Sequence, residues 1–107
     1  MKFIETTIFT RQIQELMVDE EYRLMQETLL VRPELGSIIP GSGGVRKVRW
    51  SSQGRGKRGG SRVIYYWAVN DETLFMLVAY SKSSQENLTQ SQIQTLKTMV
   101  KEEFNHG

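Results

Sequence analysis

The stretch SRVIYYWAVNDETLFMLVAYSK, residues 61–82, decides the fold of this 107-residue chain. It contains two runs rich in β-branched and aromatic residues, which are typical of strands, separated by Asn70, Asp71 and Glu72. A short polar interruption between two strand-forming runs predicts a tight β-hairpin. The hairpin is therefore the expected centre of an antiparallel sheet.

Two further strands are predicted before the hairpin. KFIET, residues 2–6, predicts a short opening strand, and PGSGG, residues 40–44, predicts a turn into the alternating run VRKVRW, residues 45–50. If Val48 and Trp50 face the helices, Lys47 and Arg49 face the opposite side of the sheet, because successive side chains of a strand alternate.

Amphipathic helices are expected around these strands. Thr7 is the expected N-cap of a first helix, and Asp19 that of a second helix that ends before Pro33. Thr89 and Gln92 form a capping box for a last helix. The apolar stripes consist of Phe9, Ile13, Leu16 and Met17, then Tyr22, Met25 and Leu29, then Ile93, Leu96, Val100 and Phe104. This order predicts one α+β domain over residues 1–107, a small antiparallel sheet with two N-terminal helices and a C-terminal helix packed on one face.

Composition narrows the classes of function. A chain of 107 residues can bury one core but cannot form a catalytic lobe and a separate cofactor lobe. The absence of cysteine excludes disulfides and thiolate metal sites. No apolar run approaches membrane-spanning length, so we expect a soluble, cytoplasmic protein without a membrane partner.

The basic residues are concentrated in one segment, although the net charge is only +2. Seven of the fourteen Lys and Arg residues lie within seventeen residues, and no acidic residue occurs between Glu34 and Asp71. These seven are Arg46, Lys47, Arg49, Arg55, Lys57, Arg58 and Arg62. Such segregation predicts a local surface for a polyanion, with a solvated basic face as the less specific alternative.

The basic segment contains GRGKRG, residues 54–59, which matches the dinucleotide-binding pattern G-x-G-x-x-G. In a dinucleotide site that turn leads into a helix, whereas here it leads into the predicted strand that follows. A P-loop needs Ser or Thr after its lysine, but Lys57 is followed by Arg58. The chain is also too short for a protein kinase and lacks the His-Arg-Asp motif. The stretch therefore predicts a basic hairpin loop that follows a phosphate backbone.

Three motifs in this order and spacing resemble the HigB branch of the RelE superfamily of bacterial toxins. They are GSGGVRKVRW (residues 41–50), GRGKRGGSRVIYYW (54–67) and AYSKSSQENLTQSQIQTLK (79–97). The resemblance implies a RelE-like fold and an mRNA interferase, an endoribonuclease without metal or cofactor that cleaves mRNA in the ribosomal A site and inhibits translation. It implies mRNA and the 70S ribosome with its rRNA as partners. It also implies a cognate HigA-like helix-turn-helix antitoxin as a partner. The toxin would be linked to DNA only indirectly, through this antitoxin.

The resemblance further implies which residues form the site. Lys47 and Arg49 match lysines on the corresponding strand of RelE, and Lys47 is the better candidate for proton transfer, since crowding among cations disfavours the protonated form of a lysine. Arg62 opens the next strand at the place of the phosphate-clamping arginine, and Lys82 ends the last strand and matches the basic position there. RNA or ribosome binding is assigned to Arg46, Arg55, Lys57 and Arg58. The single histidine, His106, is expected in a solvated tail.

The tyrosines leave one assignment open. The catalytic tyrosine of RelE has its nearest counterpart here at Leu88. Tyr65, Tyr66 and Tyr80 are available, and we expect core packing for at least two of the three.

Register and function class also have alternatives. Arg46 and Lys47 are adjacent and must face opposite sides, so a shift of register would exchange them. A noncatalytic RNA- or ribosome-binding module is the alternative function. The dispersed cations Lys47, Arg49, Arg62 and Lys82 favour the endoribonuclease, because tracking a phosphate backbone would need only the loop.

Overall fold

The computed structural model describes residues 1–51 and 60–104, which form a five-stranded mixed sheet and three helices. The elements in chain order are β1 (Lys2–Glu5), α1 (Thr7–Leu16), α2 (Asp19–Val31), β2 (Ser37–Ile38), β3 (Val45–Trp50), β4 (Ser61–Ala68), β5 (Thr73–Ser81) and α3 (Gln90–Phe104). The strands lie in the order β1-β5-β4-β3-β2. The predicted α+β class is confirmed.

The hairpin that was expected to decide the fold is present as β4 and β5. The two strands pair antiparallel from Ser61 opposite Ser81 to Ala68 opposite Thr73, and the connection between them contains Glu72 at a φ of 49°. Strand β3 pairs antiparallel with β4. The three predicted antiparallel strands are therefore confirmed.

The sheet as a whole is mixed and not antiparallel, because β1 pairs parallel with β5 at one edge. Parallel neighbours need a long crossover connection, and here most of the chain lies between the two strands. No local sequence signal sets the direction of such a pair. The two-residue strand β2 at the opposite edge was not predicted either.

The helices cover both faces of the sheet, so the expectation that they pack on one face is wrong. Helices α1 and α2 pack on the face that carries Val48 and Val63, whereas α3 packs on the face that carries Val45 and Ile64. The physical reason lies in β4 and β5, which are buried at five successive positions each. Strands covered on both faces form nearly continuous apolar runs instead of alternating ones.

The start of α1 differs by one residue from the prediction. Thr6, not Thr7, is the N-cap, and its hydroxyl accepts a hydrogen bond from the backbone N–H of Phe9 at 3.0 Å. Helix α2 begins at Asp19, so that this residue lies in the first turn and does not cap it. Its carboxylate still meets the positive end of the helix dipole.

The ends of the other helices agree with the prediction. Helix α2 ends at Val31, before Pro33. At the start of α3, the backbone N–H of Gln92 donates to Thr89 Oγ1 at 3.1 Å and the N–H of Thr89 donates to Gln92 Oε1 at 2.9 Å. These two bonds are the predicted capping box. Among the described helices, none combines the length and apolar character needed to cross a membrane.

Candidate functional site

Three of the predicted site cations lie on the sheet face that α3 covers. In β3, Lys47 and Arg49 alternate with Val48 and so share the face of Val45, which belongs to the core under α3. In β4, Arg62 lies two residues before Ile64 and takes the same face. The structure thus brings together Lys47, Arg49 and Arg62, which we call the basic face.

Two members of the basic face are direct neighbours across strands. Arg49 and Arg62 occupy paired positions of β3 and β4. Like charges directly opposite each other on antiparallel strands destabilise the sheet. Within residues 1–51 and 60–104, neither Lys47 nor Arg49 forms an ion pair with a carboxylate. Lys47 and Arg49 therefore carry positive charge that a bound anion would offset.

A cleft of about 780 Å³ opens beside Lys47 and Arg49. Its walls come from residues 37–40, from β3 and from the segment between β5 and α3. Lys47 Nζ donates a hydrogen bond to Asn87 Oδ1 at 3.2 Å across this cleft. Asn87 was missed from the sequence, because the contact joins residues forty positions apart and its only signal was membership of the third motif.

Arg62 is enclosed by protein, unlike Arg49. Arg62 is only 4% exposed, whereas Arg49 is exposed. Its partner across to β5 is Tyr80. Burial raises the pKa of the Tyr80 phenol, and the positive charge of Arg62 acts in the opposite direction. A phenol therefore lies within electrostatic range of the predicted phosphate clamp.

Lys82 lies one residue beyond β5, at the same end of the sheet as Arg49 and Arg62. Its backbone N–H donates to the carbonyl oxygen of Gly60 at 3.2 Å, just before β4 begins. The residue is exposed. The position agrees with a cation at the rim of the basic face, and its role stays a prediction.

Arg46 lies on the opposite face from Lys47. Its Nη1 atom donates hydrogen bonds to the backbone oxygens of Glu34 at 3.1 Å and Gly36 at 2.7 Å. The structure thus places Lys47, and not Arg46, beside the other two cations. Use of Arg46 in RNA binding stays a prediction.

Two of the three candidate tyrosines have structural roles, as expected. The hydroxyl of the fully buried Tyr65 accepts from the Gly36 N–H at 2.8 Å and donates to the Pro33 oxygen at 2.7 Å. The ring of Tyr66 packs on Phe104 with centroids 5.7 Å apart. Tyr80 is the tyrosine that remains near the basic face.

The remaining predicted site residues belong to other parts of the chain. Arg55, Lys57 and Arg58 lie outside the described residues, as does His106. The assignment of the loop cations to RNA or ribosome binding therefore stays a prediction.

Comparison with known protein families shows which family the chain matches. The sequence model of the family described as the RelE toxin of the RelE / RelB toxin-antitoxin system matches residues 1–106. The match covers every element of the fold and all residues of the basic face.

Proposed function

Since this chain belongs to the RelE toxin family, the toxins of toxin–antitoxin systems, we propose that it is an mRNA endoribonuclease that cleaves in the ribosomal A site and so inhibits translation. The proposal includes cleavage without a metal ion or cofactor and assignment to the HigB branch. It rests on the family match and on the three motifs named above.

The observation that most supports an RNA-cleaving site is the like-charged pair Arg49 and Arg62 beside Lys47 on one sheet face. Two guanidinium groups on neighbouring strands suit the clamping of one phosphate, because each offers planar, paired donors and keeps its charge. The strands also provide the rigid support that a reacting group requires. A surface that only tracked a phosphate backbone would not need cations held at adjacent sheet positions.

The chemistry follows from the reactivity of RNA itself. The 2′-oxygen forms a bond to the adjacent phosphorus while the bond from phosphorus to the 5′-oxygen breaks, which leaves a 2′,3′-cyclic phosphate and a 5′-hydroxyl. Lys47 takes the proton of the 2′-hydroxyl, and Lys82 gives a proton to the departing 5′-oxygen. Arg49 and Arg62 stabilise the negative charge that develops on the phosphate oxygens. These four cations supply each function of the reaction.

The proposed partners follow from the same assignment. The substrate is mRNA on the 70S ribosome, and the site of action is the cytoplasm, where ribosomes translate. A HigA-like helix-turn-helix antitoxin would hold the enzyme inactive and provide the link to DNA. We further propose that residues 1–107 act as a single domain.

The deciding experiment is inducible expression followed by mapping of mRNA 5′ ends on translating ribosomes. The proposal expects cuts in phase with codons for the wild-type protein and for Arg32→Gln, an exposed control whose Nε lies 3.4 Å from Glu34. The cuts should disappear in Arg49→Gln. Intact mRNA together with ribosome binding by the wild-type protein would favour the noncatalytic binding module.

A further inference from the structure

The hydroxyl of Tyr80 is a buried polar group that lacks a hydrogen-bond partner within residues 1–51 and 60–104. Buried hydroxyls in proteins are normally paired, since an unpaired one loses its hydration without compensation. The contrast with Tyr65 is direct, because that hydroxyl both donates and accepts inside the core. The unmade hydrogen bond of Tyr80 therefore calls for an explanation.

The surroundings of the hydroxyl favour an anionic partner. Arg62 faces Tyr80 across β4 and β5, and its positive charge lowers the pKa of the phenol, whereas the negative charge of Glu86 raises it. Burial raises the pKa of the phenol, so that the group keeps its proton at neutral pH and is available as a donor. The Tyr80 hydroxyl lies beside Arg62 and has no hydrogen-bond acceptor among the described residues, so it can donate to an oxygen of a phosphate that Arg62 binds.

The cavity beside Tyr80 and the cleft of the basic face share one lining residue. Tyr80 lines a second cavity of about 260 Å³, together with Gln85 and Leu88. Leu88 also lines the cleft that contains Lys47 and Arg49. Leu88 is thus a wall shared by the two spaces.

The segment that carries Leu88, residues 82–89, is held by hydrogen bonds that are exposed to solvent. Lys47 Nζ binds Asn87 Oδ1, Gln85 Nε2 binds Gln92 Oε1 at 2.7 Å, and the hydroxyl of Ser84 binds the carbonyl of Ser81 at 2.9 Å. Exposed hydrogen bonds of this kind open at low cost in free energy, whereas Leu88 itself is half-buried against the core under α3 and gives up apolar contacts when it moves. Displacement of Leu88 would remove a wall that the two spaces share.

We propose that Tyr80 is a catalytic residue, whose hydroxyl donates a hydrogen bond to a non-bridging oxygen of the scissile phosphate held by Arg62 once residues 82–89 move aside. The inference rests on the proposed endoribonuclease function and adds to it the residue that supplies a neutral donor. In the free protein the bond is unmade. It forms only with RNA in place.

The test is a pair of matched substitutions, Tyr80→Phe and Tyr65→Phe, each of which removes one oxygen from a tyrosine of the same sheet. Single-turnover cleavage of mRNA on saturating programmed ribosomes reports the chemical step, ribosome titration reports binding, and thermal unfolding reports stability. For Tyr80→Phe we expect cleavage slower by a factor on the order of 100, unchanged ribosome affinity, and a melting temperature equal to or above that of the wild type. For Tyr65→Phe we expect a lower melting temperature and, below it, normal cleavage.

The possible results distinguish failure of the Tyr80 inference from failure of the proposed endoribonuclease function. If the wild-type protein cleaves and Tyr80→Phe cleaves equally fast, the Tyr80 inference fails while the proposed function stands. A Tyr80→Phe protein that melts clearly below the wild type also overturns the inference, since the hydroxyl would then have a stabilising partner such as a buried water. If the wild-type protein leaves ribosome-bound mRNA intact, the proposed function fails and the Tyr80 inference fails with it.

Discussion

Replacement of Arg49 by glutamine should move stability and activity in opposite directions. Arg49 is exposed and lies opposite Arg62 in the register of β3 and β4. Glutamine retains much of the length of the side chain and its capacity to form hydrogen bonds, but it removes the charge. The substitution therefore isolates the electrostatic contribution of one member of the basic face.

The expected change in stability follows from the cross-strand pair. Relief of a like-charge contact on antiparallel strands is worth about 0.2–1 kcal/mol, so Arg49→Gln should raise the free energy of unfolding by that amount. The gain should shrink as salt is added, because exposed charges are screened over a Debye length of about 10 Å at 0.1 M ionic strength. Urea unfolding at low and high salt measures both effects.

The expected change in activity is much larger and of opposite sign. Loss of one donor that stabilises a developing oxyanion costs on the order of 3 kcal/mol, or about 100- to 1000-fold in the rate of cleavage at saturating ribosomes. The control Arg32→Gln removes an exposed charge beside Glu34 and so should leave cleavage unchanged without stabilising the protein. If Arg49→Gln is less stable at low salt, the like-charge argument is wrong. If it cleaves as fast as the wild type, Arg49 is not part of the site.

Four further expectations can be checked with the same preparations. Arg62→Ala should abolish growth arrest because it removes the proposed clamp, and a variant with native circular dichroism that still arrests growth would contradict this. Cleavage should persist in excess chelator, provided that sedimentation shows the ribosomes to be intact, because the proposed reaction uses only side-chain cations. Replacement of the loop cations Arg55, Lys57 and Arg58 with glutamine should weaken the salt dependence of ribosome binding. The slope of log affinity against log salt concentration should fall by roughly 0.7–0.9 for each phosphate that is no longer neutralised. Saturating ribosomes should restore most of the cleavage. Gly60→Ala should lower the free energy of unfolding by more than about 1 kcal/mol in urea titrations, since Gly60 has a φ of 65° and an added Cβ would lie 2.4 Å from the backbone oxygen of Trp50.

The elements of the fold were predictable where the signal is local. The run from residue 61 to residue 82 contains both strands of the central hairpin and their turn, and the structure forms them as β4 and β5. The capping box of Thr89 and Gln92 was likewise recognisable, because both of its hydrogen bonds join residues three positions apart. The strand period also placed Lys47 and Arg49 on a common face before any pairing was known.

The two-sided core shows how a valid signal can be interpreted wrongly. The continuous apolar runs of β4 and β5 were present in the sequence, and they require cover on both faces. The expectation of helices on one face overlooked this requirement. Helix α3 supplies the second cover with Leu96 and Val100.

Which residues come together at the basic face depends on contacts that only the tertiary structure determines. The sequence by itself determined which cations exist, how they alternate along β3, and that β3 and β4 would be neighbours. The partner of Arg49 across the sheet, the approach of Tyr80 to Arg62 and the bond from Lys47 to Asn87 join residues 13, 18 and 40 positions apart. Spacing along a chain specifies which face a side chain takes, whereas register and loop placement are set by the packing of distant segments against one core.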